Sequence, residues 1–175
     1  MPKPSHKLLA FPRLQFKGVG PKLNARKISA LAHLMELPPG YESFLLWRNG
    51  GRPLKEYFTW THPQHGETTS RLDGFAGLNP QLPGSVTLGM DSVEMILQFR
   101  HWLPRWSIPI GRVVDDSFLL PFHWDDPRTD QVWLKHWYHE DPDASGPEEK
   151  LFHIADSLPE FLALLHEHAP DYDVE

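Results

Sequence analysis

Apolar positions recur with a helical period near both ends of the chain and in short, strand-like runs between them. From Leu23 to Met35, the residues Ile28, Leu31, Ala32 and Met35 fall at the i, i+3, i+4, i+7 spacing of one helix face. Leu37-Pro38-Pro39-Gly40-Tyr41 opens a second helix, since a proline in the first turn lacks only an N–H that would have had no intrahelical acceptor. Tyr41, Phe44 and Leu45 supply its apolar face. Asn49-Gly50-Gly51 predicts its end, because these residues tolerate the left-handed backbone that caps many helices. Between Arg52 and Pro109 turn residues interrupt the apolar runs. Tyr57–Trp60 reads as a strand, Leu72–Leu78 as an irregular stretch broken by glycines, and Asp91–Arg100 as a helix with Val93, Ile96 and Leu97 inward. Ile108–Val114 and Phe118–Phe122 are strand-like runs around a hairpin signal at Asp115-Asp116-Ser117, and Val132–Leu134 and Phe152–Ile154 are further strands. Asp141–Lys150, with Pro142, Gly146 and Pro147, is a polar loop. Near the C-terminus Ser157 and Glu160 have the spacing of a capping box, ahead of the stripe Leu158, Phe161, Leu162 and Leu165.

Helices first, strands in the middle and a helix last predict an α+β fold: a single domain with N-terminal helices, a central, mostly antiparallel sheet and a C-terminal helix. Residues 1–21 hold Pro2, Pro4, Pro12 and Pro21 among basic side chains and form an extended or irregular lead-in, leaving residues 22–175 as the domain.

Charge sharpens this picture. Residues 1–27 carry seven Lys/Arg and no acid, residues 28–114 seven of each sign, and residues 115–175 sixteen Asp/Glu against Arg128, Lys135 and Lys150. An acidic surface of this kind steers a basic protein in and keeps nucleic acid out, although the same charges also serve simply as a solvated face. Cysteine is absent, which excludes disulfides, thiolate metal sites and a cysteine nucleophile, and suits the cytoplasm. No run approaches the apolar length of a membrane span, and the N-terminal prolines interrupt any amphipathic transit helix, so neither a membrane nor an organelle is expected.

Eleven histidines require a metal or acid/base site to be weighed. His62-Pro63-Gln64-His65 has ligand-like spacing, but Pro63 favours a turn, and only Glu67 stands nearby as a third donor. His136 and His139 share a face only in a helix, whereas the segment reads as a strand. Ser117 and Ser145 lack a nucleophile-elbow context, phosphate-loop and dinucleotide fingerprints are missing, and the adjacent pair Asp125 and Asp126 assigns no acid and base roles. The expectation is a protein that binds rather than catalyses, without metal or cofactor.

The order of the signals resembles a known family. Leu37-Pro38 leading into a helix that ends at Asn49-Gly50-Gly51, then Ile108-Pro109-Ile110-Gly111 before Asp115-Asp116, then Ile154-Ala155-Asp156-Ser157-Leu158-Pro159-Glu160-Phe161-Leu162, is similar to the SUKH superfamily, the Smi/Knr-like proteins. The chain departs from that pattern at Ser29 and Ala30, where the family often has a glutamate, and at Ser117, where the hairpin turn usually has glycine. The resemblance implies a bacterial immunity protein that binds and neutralises a cognate polymorphic toxin; many toxins paired with such domains are nucleases. A nuclease holds phosphates with basic residues, which an inhibitor can meet with carboxylates. The partner-binding candidates are therefore Asp115, Asp116, Asp125, Asp126, Asp130, Glu140, Asp141 and Asp143, with Trp124, Trp133, Trp137 or Tyr138 as aromatic anchors. For each of these residues the alternative is a core tryptophan or a solubilising acid. Leu37, Pro38, Asn49, Gly50, Gly51, Ser157 and Glu160 are read as structural. A general interaction scaffold and a metal-dependent enzyme are the competing functions, and the oligomeric state stays open.

Overall fold

The structure is a computed structural model that describes residues 9–26, 28, 37–78, 107–114, 117–121, 126–135 and 151–167. In chain order the elements are β1 (Phe16–Lys17), α1 (Pro39–Trp47), β2 (Arg52–Pro53), β3 (Tyr57–His62), β4 (Gly66–Phe75), β5 (Gly111–Val113), β6 (Ser117–Pro121), β7 (Val132–Lys135), β8 (Leu151–Ala155) and α2 (Leu158–Ala163). Among the described residues this is an α+β fold with antiparallel sheets and two helices. A helical turn also covers Ala25, Arg26 and Ile28, with the Ile28 N–H on the Asn24 carbonyl at 3.1 Å. The rest of the helix predicted over Leu23–Met35, the whole of that predicted over Asp91–Arg100 and the loop Asp141–Lys150 lie outside the described residues.

Strands β3 to β8 form one six-stranded antiparallel sheet in which each strand pairs with the next, while β1 and β2 form a separate two-stranded ladder. Neighbours in sequence are thus neighbours in the sheet, although residues 76–110 intervene between β4 and β5 and residues 136–150 between β7 and β8. Pro63, Gln64 and His65 turn β3 into β4, and β5 pairs with β6 from Val113 opposite Ser117, around the predicted hairpin turn. Leu72–Leu78 is not irregular throughout, because β4 runs on to Phe75 and the register with β5 shifts between Leu72 and Gly74. A bulge absorbs the extra residue, so burial of Leu72 and Phe75 holds the segment in the sheet despite its glycine.

Both helices pack on one face of the sheet. From α1, Phe44 meets Phe75 with ring centroids 4.8 Å apart; from α2, Phe161 meets Phe58 at 5.1 Å and Phe75 at 6.1 Å. Tyr41, Phe44, Phe58, Phe75 and Phe161 are fully buried together with Leu37, Leu45 and Leu72. Although β3 and β8 stand at opposite ends of the strand order, Phe152 of β8 lies 5.0 Å from Trp60 and 4.9 Å from His62 of β3. The sheet therefore curls until side chains from its two edges meet, as the natural twist and two register shifts allow. After α2 the chain returns to this seam, where His166 and Tyr57 exchange backbone hydrogen bonds of 2.8 and 3.1 Å.

The Ser157 cap forms as expected, with Glu160 N donating to Ser157 Oγ at 3.3 Å, but the reciprocal bond is shifted: Glu160 Oε2 accepts at 3.1 Å from Asp156 N, one residue before the cap. The N-terminal lead-in lies against α1. Phe11 stacks on Trp47 at 4.9 Å, Phe16 approaches Phe44 and Phe75 at 6.2 Å each, and Phe16 and Lys17 pair with Pro53 and Arg52.

Candidate partner-binding site

Asn49-Gly50-Gly51 has a different structural role from the one predicted. Helix α1 ends at Trp47 with Arg48 in an extended conformation, so these residues are not its left-handed cap. Instead the Asn49 amide, 2% exposed, joins three parts of the chain. Its Nδ2 donates to the carbonyls of Pro21 at 2.9 Å and Leu78 at 2.8 Å, while its Oδ1 accepts from Leu78 N at 2.7 Å. Gly50 and Gly51, at φ +71° and +100°, then let the backbone pass close by: a Cβ on Gly50 would stand 2.7 Å from the Gly77 nitrogen.

The loop before β7 is built by two overlapping turns, with Thr129 N on the Asp126 carbonyl at 3.0 Å and Gln131 N on that of Arg128 at 2.8 Å. Asp126 Oδ1 accepts from Arg128 N and Nε at 2.8 and 2.9 Å, and Oδ2 from Nη2 at 2.8 Å. The side-chain hydrogen bond from Arg128 holds the Asp126 carboxyl below the usual carboxylate range. Its charge is thus matched inside the loop. Asp130 is exposed and lies beside the first turn of α1, where a Cβ on Gly40 would stand 3.4 Å from its Oδ1.

Beyond the loop, β7 and β8 fix a half-buried indole. Trp133 Nε1 donates to Gln131 Oε1 at 3.2 Å, and its ring meets that of His153 edge-on at 5.3 Å. Asp156 Oδ1 receives Gln131 Nε2 at 3.4 Å and lies 3.1 Å from His153 Nε2, with the Asp156 side chain 73% exposed. The β7–β8 register brings His153 opposite Trp133, and exposed Glu160 follows at the start of α2. The result is an aromatic centre on rigid strands with carboxylates at its rim, an arrangement suited to cationic side chains of another protein.

Residues 27–164 match the SMI1 / KNR4 family (SUKH-1). The chain belongs to this family. No curated protein and no solved structure matches it. SUKH-1 membership makes the chain one of a family of immunity and protein-interaction domains, so a protein partner is implied. Asn49, Leu78 and the cap of α2 lie within the matched SUKH-1 region, whereas residues 9–26, including the Pro21 carbonyl that Asn49 holds, precede it.

Of the carboxylates expected to bind a partner, the structure places Asp126 and Asp130 on one loop. Asp115, Asp116, Asp125, Glu140, Asp141 and Asp143, with Trp124, Trp137 and Tyr138, lie outside the described residues, as do His136 and His139. Asp156, His153 and Gln131 were not singled out as binding residues in the sequence. Gln131 reaches Trp133 from two residues away, whereas only the pairing of β7 with β8 brings His153 and Asp156 to the same place. His62, the last residue of β3, and His65 of the following turn have ring centroids 4.5 Å apart and tilted by 30°, and His62 Nδ1 accepts the N–H groups of Gln64 at 3.1 Å and His65 at 3.2 Å. That nitrogen is engaged with the backbone. Among the described residues no three His, Asp or Glu side chains converge as metal ligands.

Proposed function

We propose that this SUKH-1 chain is an immunity protein that binds a cognate bacterial toxin in the cytoplasm and neutralises it by occlusion, without catalysing a reaction. The carrying observation is the half-buried Trp133 with Asp156 beside it and Asp130 on the loop that leads into its strand. A fixed indole offers contact area at little entropic cost, and exposed carboxylates draw in and orient the Lys and Arg side chains of a basic partner. A nuclease toxin fits this description because its phosphate-binding groups are themselves cationic. The excess of acid over base in residues 115–175 agrees with such a partner.

Co-expression with the toxin encoded beside this chain is the direct test. Growth should be restored, and the two proteins should purify as a complex that dissociates more readily as salt rises. A toxin that stays lethal, or two proteins that elute separately at low salt, would overturn the proposal.

A further inference from the structure

We infer that the groove between β1 and the β2–β3 connection is a second docking surface, built for an acidic, leucine-bearing segment of another protein and separate from the Trp133 surface. The groove encloses about 400 Å³ and is lined by Lys17, Arg52, Pro53, Leu54 and Glu56. Backbone pairing makes it: Phe16 and Lys17 lie opposite Pro53 and Arg52, and Leu54 N extends that ladder to the Gln15 carbonyl at 2.9 Å.

Its charges do not balance. Glu56 receives Arg52 through Nε at 2.7 Å and through Nη2, and its other oxygen lies 3.1 Å from Arg71 Nε. One carboxylate therefore serves two guanidinium groups, and Lys17 forms no ion pair with any described residue. The nearby Lys55 lies 4.0 Å from Glu167, and Arg112 lies 3.6 Å from Asp73, so neither neutralises the excess. Two lining cations, Lys17 and Arg52, against one lining anion that is also shared with Arg71 favour a negatively charged occupant of this concave surface. Leu54, 43% exposed, and Pro53 add apolar wall, which a small free anion would not use but a peptide side chain would. Lys17 comes from the segment that precedes the SUKH-1 match, so the groove depends on the part of this chain that the family pattern does not cover.

The test uses the full chain and a fluorescein-labelled peptide of aspartates and glutamates around one leucine, with a control peptide in which lysine replaces each acid. The acidic peptide should bind, with affinity falling as salt rises. Lys17→Glu should weaken it about tenfold, the scale of a lost interfacial charge contact. Leu54→Ser should weaken it several-fold. Both residues are exposed, so melting temperatures should match the parent. Neither change should alter toxin binding, which keeps this inference separable from the immunity reading. Equal binding by parent and Lys17→Glu, equal binding of the lysine peptide, or full displacement by inorganic phosphate would each overturn it, the last by revealing a small-anion site.

Discussion

Asn49 satisfies both donors of its amide and one acceptor position in a place that water barely reaches. Asn49→Ala would leave the Leu78 N–H and two carbonyls without partners, at a cost of about 2–4 kcal/mol on the usual scale for unsatisfied buried groups. Asn49→Asp separates the geometry from the chemistry. Its carboxylate can still accept from Leu78 N but would point an anion at the carbonyls of Pro21 and Leu78, which raises its pKa in the folded state. The folded variant then holds its proton more tightly than the unfolded chain, so its stability is present at low pH and is lost as pH rises through the raised value. Urea titrations at two pH values should show the Asp variant approaching the parent on acidification, with the Ala variant unmoved. The importance of Asn49-Gly50-Gly51 was legible in the sequence, but its role was not. Helix caps are local and can be read from neighbours, whereas the partners of Asn49 lie 28 and 29 residues away.

Among the elements, those whose stop and start signals are local were the most legible. Helix α2 carries cap, proline and apolar stripe within nine residues of sequence from Ser157 to Leu165, and it forms where expected. Strand β4 was not read as a strand: Gly66–Arg71 carried no clear signal and Leu72–Leu78 read as irregular, because a glycine at position 74 looks like a break until the cross-strand register shows a bulge. The β3–β4 hairpin adds a pH dependence of its own. Burial of the His62 ring, 8% exposed, and the nearby His65 hold its pKa below the ordinary value. Its Nδ1 must also stay unprotonated to accept from Gln64 and His65. The unfolded chain takes up this proton near pH 6.5 and the folded chain resists it. Stability from this group is therefore complete above about pH 6.5 and is lost as pH falls from there toward the lowered folded pKa. His62→Asn keeps a side-chain acceptor for the turn but cannot titrate. It should lower the melting temperature at neutral pH, through lost packing on Trp60 and Phe152, yet shrink the further drop between about pH 7.5 and about pH 5.5. A drop equal to that of the parent would place the pH dependence in other histidines.

At the scale of the molecule, charge of opposite sign is carried by opposite ends of the chain, and the fold brings the two ends together at α1, where Gly40 lies close to both Leu9 and Asp130. Lys17 lines the groove beside β2, whereas Asp130 and Asp156 flank β7 and follow β8. The gradient itself was plain in the sequence, but which carboxylates stay available was not. Asp126 is committed to Arg128 two residues on, while the exposed Asp156 meets Gln131, which holds the Trp133 indole, from 25 residues further along, through strand pairing that no local pattern encodes. A rim of exposed charge acts mainly on encounter, because its field reaches about a Debye length, about 8 Å at physiological salt, and is screened beyond it. The double variant Asp130→Lys, Asp156→Lys should therefore slow association with the toxin more than it speeds dissociation, by about tenfold or more at low salt. The difference from the parent should shrink as salt is raised. Trp133→Ala should behave in the opposite way, since losing an aromatic anchor shortens the lifetime of the complex while leaving the long-range field intact. Stopped-flow association and surface-plasmon dissociation rates, each measured across a salt series, distinguish the two. Association that is equally fast in the charge-reversed variant and the parent would remove the β7–β8 surface from the encounter with the toxin.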